Sequence, residues 1–262
     1  MPAKPVLSAL AAEWKNLLVY YNCLVNADML KRKQSHINHL QCLSHYTNRS
    51  YSLFDLKEAR FVAHFSSYRQ RLSNPMIRLE DPDNWTNLYK QCPKSDMSYY
   101  IESVLFYFNT LLALPFDQRS QLVMLTLHWL KNKYNNSDLY LIRVKVIETD
   151  DIGQPWLILV EAELLYGFKP KVFSHIRQVF LLNGETNQIE KRFPGSAEDE
   201  LRESQLKLLR ILNEDIAISK APTALGITDS GFNSRRKRLL LKLNASSIPQ
   251  VIAMSNLLRL LE

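Results

Sequence analysis

Glycine is scarce, six in 262 residues, and no glycine-rich phosphate loop, GxSxG or HExxH occurs. Catalysis has no support in the sequence, and the chain is read as a non-enzyme. Its three cysteines, Cys23, Cys42 and Cys92, are odd in number, widely spaced and without a CxxC pair. They read as packed or incidental thiols in a reducing compartment, which excludes a disulfide framework. Histidine offers no metal site either. His36 and His39 stand at i, i+3, a pair that is more often a surface helix than a ligand set, and His45, His64, His128 and His175 add no ligand spacing. No metal and no cofactor is expected.

Long apolar runs are also missing. The greasiest stretch, Tyr99–Phe116, is interrupted by Glu102 and Asn109, and reads as a buried or amphipathic helix rather than a membrane span. The opening MPAKPVLSALAAEWKN has no uninterrupted apolar core before Glu13, which argues against a signal peptide. The expectation is a soluble, cytoplasmic protein with no membrane partner. The acidic pairs Asp81/Asp83 and Asp150/Asp151 fall in loops, where turn chemistry is the ordinary reading.

Positive charge is in excess. The net charge is +7 with a pI near 9.2, which suggests an anionic partner. From Leu201 to Glu262 there are ten cations and five acids, so the last quarter carries +5 of that total. Four of the ten are consecutive, in LGITDSGFNSRRKRLLLKLNA (Leu225–Ala245).

Along the chain, residues from about Val6 to Lys33 are helical in character, and Tyr51–Leu72 mixes strand-like aromatics with a helical tail. Tyr99–Leu114 and Ser120–Lys133 read as helices, the second from Leu122, Leu125 and Trp129 at near-helical spacing. Leu139–Glu148, Trp156–Tyr166, Ser174–Leu182 and Ile189–Phe193 read as an antiparallel meander of three or four strands. Gly153 and Gly184 would supply positive φ in its turns. Helices followed by strands indicate an α+β domain. Phe106, Tyr107, Phe108, Trp129 and Trp156 are candidates for its core or for a cavity wall. FPGSAEDE (Phe193–Glu200) reads as a linker, with Ser196 able to cap the helix that follows.

Beyond the linker three helices can be laid out. The first covers about Ala197–Asn213 and buries Leu201, Leu208, Leu209 and Leu212. A short second, about Lys220–Leu225, ends at Gly226, with Ser219 as its cap and Pro222 in its first turn. The third is capped by Thr228. Its Phe232, Leu239 and Leu243 share one side, Asn233, Ser234 and Lys237 another, and Arg235, Arg236 and Arg238 flank them. Helix, short helix, glycine turn and basic helix is the helix-turn-helix plan of DNA-binding proteins.

On these residues Leu201–Leu261 resembles the LuxR/GerE-type helix-turn-helix domain of bacterial transcription regulators. The matching positions are Leu201, Leu208–Leu212, Leu225–Thr228, Phe232, Arg236, Leu239, Lys242–Ala245 and a terminal helix over Val251–Leu261. The chain departs from that pattern at Arg202, Gln205, Ala221-Pro222 and Gly231–Asn233. The resemblance implies base contacts from Asn233, Ser234 and Lys237, and phosphate contacts from Thr228, Arg235, Arg236, Arg238 and Lys242. It also implies homodimerisation through Val251, Met254, Leu258 and Leu261. The region before it is similar to a PAS sensor domain, in which helices cross a central antiparallel sheet around a small cavity; RLEDPDNW (Arg78–Trp85) and TDDIGQPWLIL carry that resemblance.

The resulting expectation has four parts. Residues 1–35 form an N-terminal helical segment, 36–193 a PAS-like sensor or dimerisation domain, 194–200 a linker, and 201–262 an all-α LuxR-type DNA-binding domain. Its partners would be double-stranded DNA, a second copy, and an unknown small-molecule or protein signal. The alternative is a protein-interaction or regulatory module whose helix-turn-helix is degenerate and binds DNA weakly, for which Gly231 and Pro222 speak.

Overall fold

The computed structural model describes residues 4–19, 23–66, 79, 92–93, 96–131, 134, 136–165, 177–183, 187–193, 201–214, 218–242 and 245–257. The chain divides into two compact units, residues 1–166 with 179–192 and residues 167–178 with 193–262.

The first unit is α+β. Helices α1 (Lys4–Val19) and α2 (Ala27–Tyr46) precede strands β1 (Arg49–Asp55) and β2 (Arg60–Ser66). Then come α3 (Met97–Ala113), the single turn α4 (Phe116–Arg119), and strands β3 (Leu122–Lys131), β4 (Ser137–Thr149), β5 (Pro155–Leu165), β6 (Arg177–Asn183) and β7 (Asn187–Phe193). They form one sheet in the order β2-β1-β5-β4-β3-β6-β7, and every pairing recorded in it is antiparallel.

Three expectations are corrected here. The helical stretch 6–33 is broken at Cys23–Asn26, where Asn26 caps α2 by accepting a hydrogen bond from the Met29 N–H (2.9 Å), and α2 then continues through residue 35 to Tyr46. Ser120–Lys133 is strand β3 and not a helix. Both of its edges are paired, Thr126 facing Ile142 on β4 and Val179 on β6, and most of its side chains are buried on one face or the other. The meander is broken at its middle, although β6 and β7 are neighbours as expected. β4 and β5 pair, but β5 takes β1 on its other edge, and β6 lies beside β3.

Two buried carboxylates fix the ends of the strands. At the β4–β5 turn, Asp150 Oδ1 accepts the N–H groups of Ile152 (3.1 Å) and Gln154 (2.8 Å), while Gly153 takes φ +84°. Its Oδ2 accepts the N–H of Leu24 (3.1 Å), and Asn26 donates to Asp151 (3.3 Å), so this turn also holds the entry to α2. The acidic pair is turn chemistry, as expected; Asp81, Asp83 and Gly184 lie outside the described residues. At the end of β1, Asp55 Oδ1 accepts from Trp156 Nε1 (3.1 Å) and from the N–H groups of Lys57 and Glu58; its Oδ2 accepts from Lys33 Nζ of α2 (2.7 Å). Burial acts against Lys33's charge, but the hydrogen bonds to Asp55 and Glu58 outweigh it and leave the ammonium pKa raised.

Removing the acceptor would strand several donors at once. Asp55→Ala is expected to cost about 3–5 kcal/mol, read as a lowered urea midpoint of the full chain. Asp55→Asn, which keeps an acceptor for Trp156, should cost less.

Candidate nucleic-acid interface

From residue 201 onward, the regular elements among the described residues of the second unit are helices. They comprise α5 (Glu203–Asn213), a 3₁₀ turn (Ile218–Lys220), the four-residue α6 (Ala221–Ala224), α7 (Asp229–Lys242) and α8 (Ile248–Leu257). Leu208, Leu209 and Leu212 of α5, Ala221 of α6, Leu225, Phe232 and Leu239 of α7 and Val251 of α8 are buried.

Helix starts differ from expectation. α5 does not reach back to Ala197: Leu201 and Arg202 are non-helical, Arg202 at ψ +153°. The Gln205 side chain accepts the Arg202 N–H (2.9 Å) and closes the first turn. Ser196 and the rest of the linker lie outside the described residues. Ser219 is not a cap, because the 3₁₀ turn carries the chain directly into α6, and Pro222 sits in its first turn, where no N–H is needed.

The connection between α6 and α7 agrees with its sequence in detail. Gly226 takes φ +64°, its N–H donates to Thr223 O (3.0 Å), and Ile227 N–H donates to Pro222 O (3.0 Å). This pair of bonds satisfies the orphan carbonyls at the end of α6. Thr228 Oγ1 then accepts the Gly231 N–H (3.1 Å), capping α7. A Cβ on Gly231 would come within 3.2 Å of that hydroxyl, so the glycine keeps the cap uncrowded.

On α7, Phe232 and Leu239 point into the domain, and Asn233, Ser234 and Lys237 are all exposed. Arg235 and Arg238 are exposed as well, whereas Arg236 and Lys242 are partly covered. Leu243 lies outside the described residues. Val251, expected at a dimer interface, is completely buried within this unit, and the helix that carries it contacts α5. Met254 falls within α8; Leu258 and Leu261 lie outside the described residues. Sequence reading missed Arg202 and Gln205, which it placed inside a longer helix; the structure puts them beside Arg235, Arg238 and Lys242.

The first unit holds a separate feature, a partly open apolar cavity of about 60 Å³. Trp14, Phe54, Phe61, Tyr107 and Phe108 line it, with Tyr100, Thr126 and His128 among its polar wall groups. Of the aromatics named from sequence, Tyr107 and Phe108 reach it, while Trp156 belongs to the core around Met29 and Leu40. His128 Nε2 lies 3.4 Å from Thr126 Oγ1, and its Nδ1 is buried without a hydrogen-bond partner. Burial pushes the imidazole pKa down to about 3, so it is neutral at physiological pH. The role of His128 was hidden because its strand was read as a helix.

Among the described residues no group of three or more His, Cys, Asp or Glu gathers as a metal site, and no helix is long and apolar enough to cross a membrane. His36 instead faces Glu148 (2.8 Å).

No family model matches the chain, and no curated protein matches it. Among solved structures it is similar to the VqmA dimer of Vibrio cholerae without target DNA, presented there with LuxR-type receptors (13% identity, TM-score 0.32, 84% of this chain and 86% of that one). It is also similar to a phage VqmA–DPO complex (11%, 0.34, 86% and 88%) and to the V. cholerae VqmA–ligand–DNA complex (10%, 0.34, 85% and 86%). Similarity this distant assigns no function to the chain.

Two measurements follow from the geometry. Added at Gly226, a Cβ meets nothing within 4 Å, so Gly226→Ala should cost only its backbone term, about 1–2 kcal/mol in urea unfolding. For His128, the unfolded pKa near 6.5 exceeds the folded value of about 3, so the unfolded chain binds the extra proton. Stability is therefore full above about pH 6.5 and falls toward pH 3, by on the order of 4–5 kcal/mol for this group. His128→Phe should flatten that part of the pH profile relative to wild type.

Proposed function

We propose that this protein is a sequence-specific DNA-binding transcription regulator acting as a dimer, with the second unit as a LuxR-type helix-turn-helix and the first as a PAS-like sensor that controls it. One observation supports this above the others. α7 is capped by Thr228 after the Gly226 turn, is seated by Phe232 and Leu239, and presents Asn233, Ser234 and Lys237 outward between cationic flanks. A helix of this kind suits the major groove, where neutral and basic side chains read base edges and flanking cations meet phosphates. Asn233 would pair with adenine, and Thr228, Arg235, Arg236, Arg238 and Lys242 would hold the backbone. The features that favour a degenerate module weigh less in the folded chain, since Pro222 sits where a helix accepts proline and Gly231 serves the cap.

For the first unit we propose a small neutral molecule as the signal, accommodated in the apolar cavity beside His128. A protein signal at this unit is the second possibility.

The test is a pull-down of genomic fragments by the full chain, with sequencing, at two salt concentrations. A palindromic motif that survives the higher salt supports the proposal; retention that is blind to sequence, or none, refutes it. Within a binding-competent protein, Arg236→Ala should weaken all duplexes alike. Asn233→Ala or Lys237→Ala should relax preference at particular bases, worth about 1–3 kcal/mol each.

A further inference from the structure

The cations of α7 fall on two flanks. Arg235, Arg238 and Lys242 stand at i, i+3 and i+7 on one side, whereas Arg236 is partly covered on the other. The first flank faces the entry of α5, and between the two helices lies a polar depression of about 510 Å³. Arg202, Ser204 and Gln205 line it from α5 and its entry, with Arg235, Arg238 and Lys242 opposite. Four of these six side chains are cations, and no carboxylate is among them. The acid on the same turn, Glu203, instead pairs with Arg210 (3.3 Å).

Gln205 makes this absence specific. Its Oε1 accepts the Arg202 N–H, a bond that a glutamate would make with the same geometry and with better electrostatics at a helix start. An amide here adds no negative charge to the described residues that line the depression. Arg238 lies between the depression and the exposed face of Ser234 and Lys237 on the helix surface. The major groove is about 12 Å wide and a helix with its side chains about 10–12 Å across, so a helix lying in the groove brings its flanks to the bounding phosphates.

We propose that this depression seats a backbone phosphate of double-stranded DNA, with Arg202 and Gln205 of the first helix as contacts alongside Arg235, Arg238 and Lys242. The proposal rests on the DNA-binding reading above, and adds to it a contact surface outside the recognition helix.

The experiment measures duplex affinity of the full chain over a salt series for wild type, Arg202→Ala and Gln205→Glu, with poly-glutamate as a parallel probe and urea unfolding of each protein. Gln205→Glu keeps the cap, so its unfolding midpoint should equal or exceed wild type while its DNA affinity falls. Each variant should lose about tenfold in affinity near 0.1 M salt and make the log–log salt slope shallower by about one, on all sequences. If wild type binds duplex and both variants keep its slope, the depression is not a phosphate seat, although the DNA reading stands. Loss of poly-glutamate binding alone, with duplex binding unchanged, would mark an acidic-peptide site and overturn the proposal. If wild type binds no duplex, both readings fail together.

Discussion

The burial of Phe232 and Leu239 is the constraint on which the second unit depends. α7 is a 14-residue helix with four consecutive cations, and such a helix is marginal in water by itself. Two buried side chains, worth about 1.5–3 kcal/mol each, and one hydroxyl cap hold it. They also fix its rotation. Given Phe232 and Leu239 inward, Ser234 and Lys237 must face out, and Arg235, Arg238 and Lys242 must turn toward α5. A rotation of one residue, about 100°, would bury cations and expose a phenyl ring. The charge pattern is thus presented by the packing, and is not merely tolerated by it.

In the first unit the comparable constraint is polar. α2 packs on the sheet through Met29, Leu40 and the partly buried Ile37. Its polar contacts run from Lys33 to Asp55 and Glu58, from Arg32 and His36 to Glu148, and from the Asp150–Asp151 turn to its start. A buried ion pair of this kind adds little net stability, because desolvation offsets most of its attraction. Its consequence is position. Asp55 has a determined set of donors from three elements, so the helix, the β1–β2 turn and Trp156 of β5 can meet in only one register.

Much of this was legible in the sequence, for reasons that differ by element. The α6–α7 connection was readable because glycine at a left-handed position and threonine at a cap act locally. β4 and β5 were readable from alternation. β3 was not, because a strand paired on both edges and covered on both faces loses alternation, and LVMLTLHWLK then resembles a buried helix. The neighbour of β6 was beyond reach for another reason: consecutive strands pair most often, and the exchange of β1 and β3 for the expected neighbours depends on contacts far apart in sequence. Val251 illustrates a third limit. An apolar stripe on a terminal helix looks the same whether it covers its own core or a partner's, and only the folded unit shows that this residue is used internally. Arg202 and Gln205 stood out only as departures from a family pattern, because their place beside the cations of α7 depends on where α5 begins.

The two units handle charge in opposite ways, and this bears on what each can recognise. Around the depression of the second unit, cations gather on an exposed surface, where water and salt moderate their repulsion and an arriving polyanion releases counterions. In the cavity of the first unit, burial keeps even an imidazole from holding a proton. A charged ligand entering there would meet the same desolvation, with only neutral polar groups such as Tyr100, Thr126 and His128 among the lining residues to compensate it. An anion would find no cation on those walls, and a cation would find no carboxylate. A neutral molecule carries none of that cost. On the proposed reading, the signal is therefore neutral while the target is highly charged, and the same physical quantity, the cost of taking a charge out of water, separates the two.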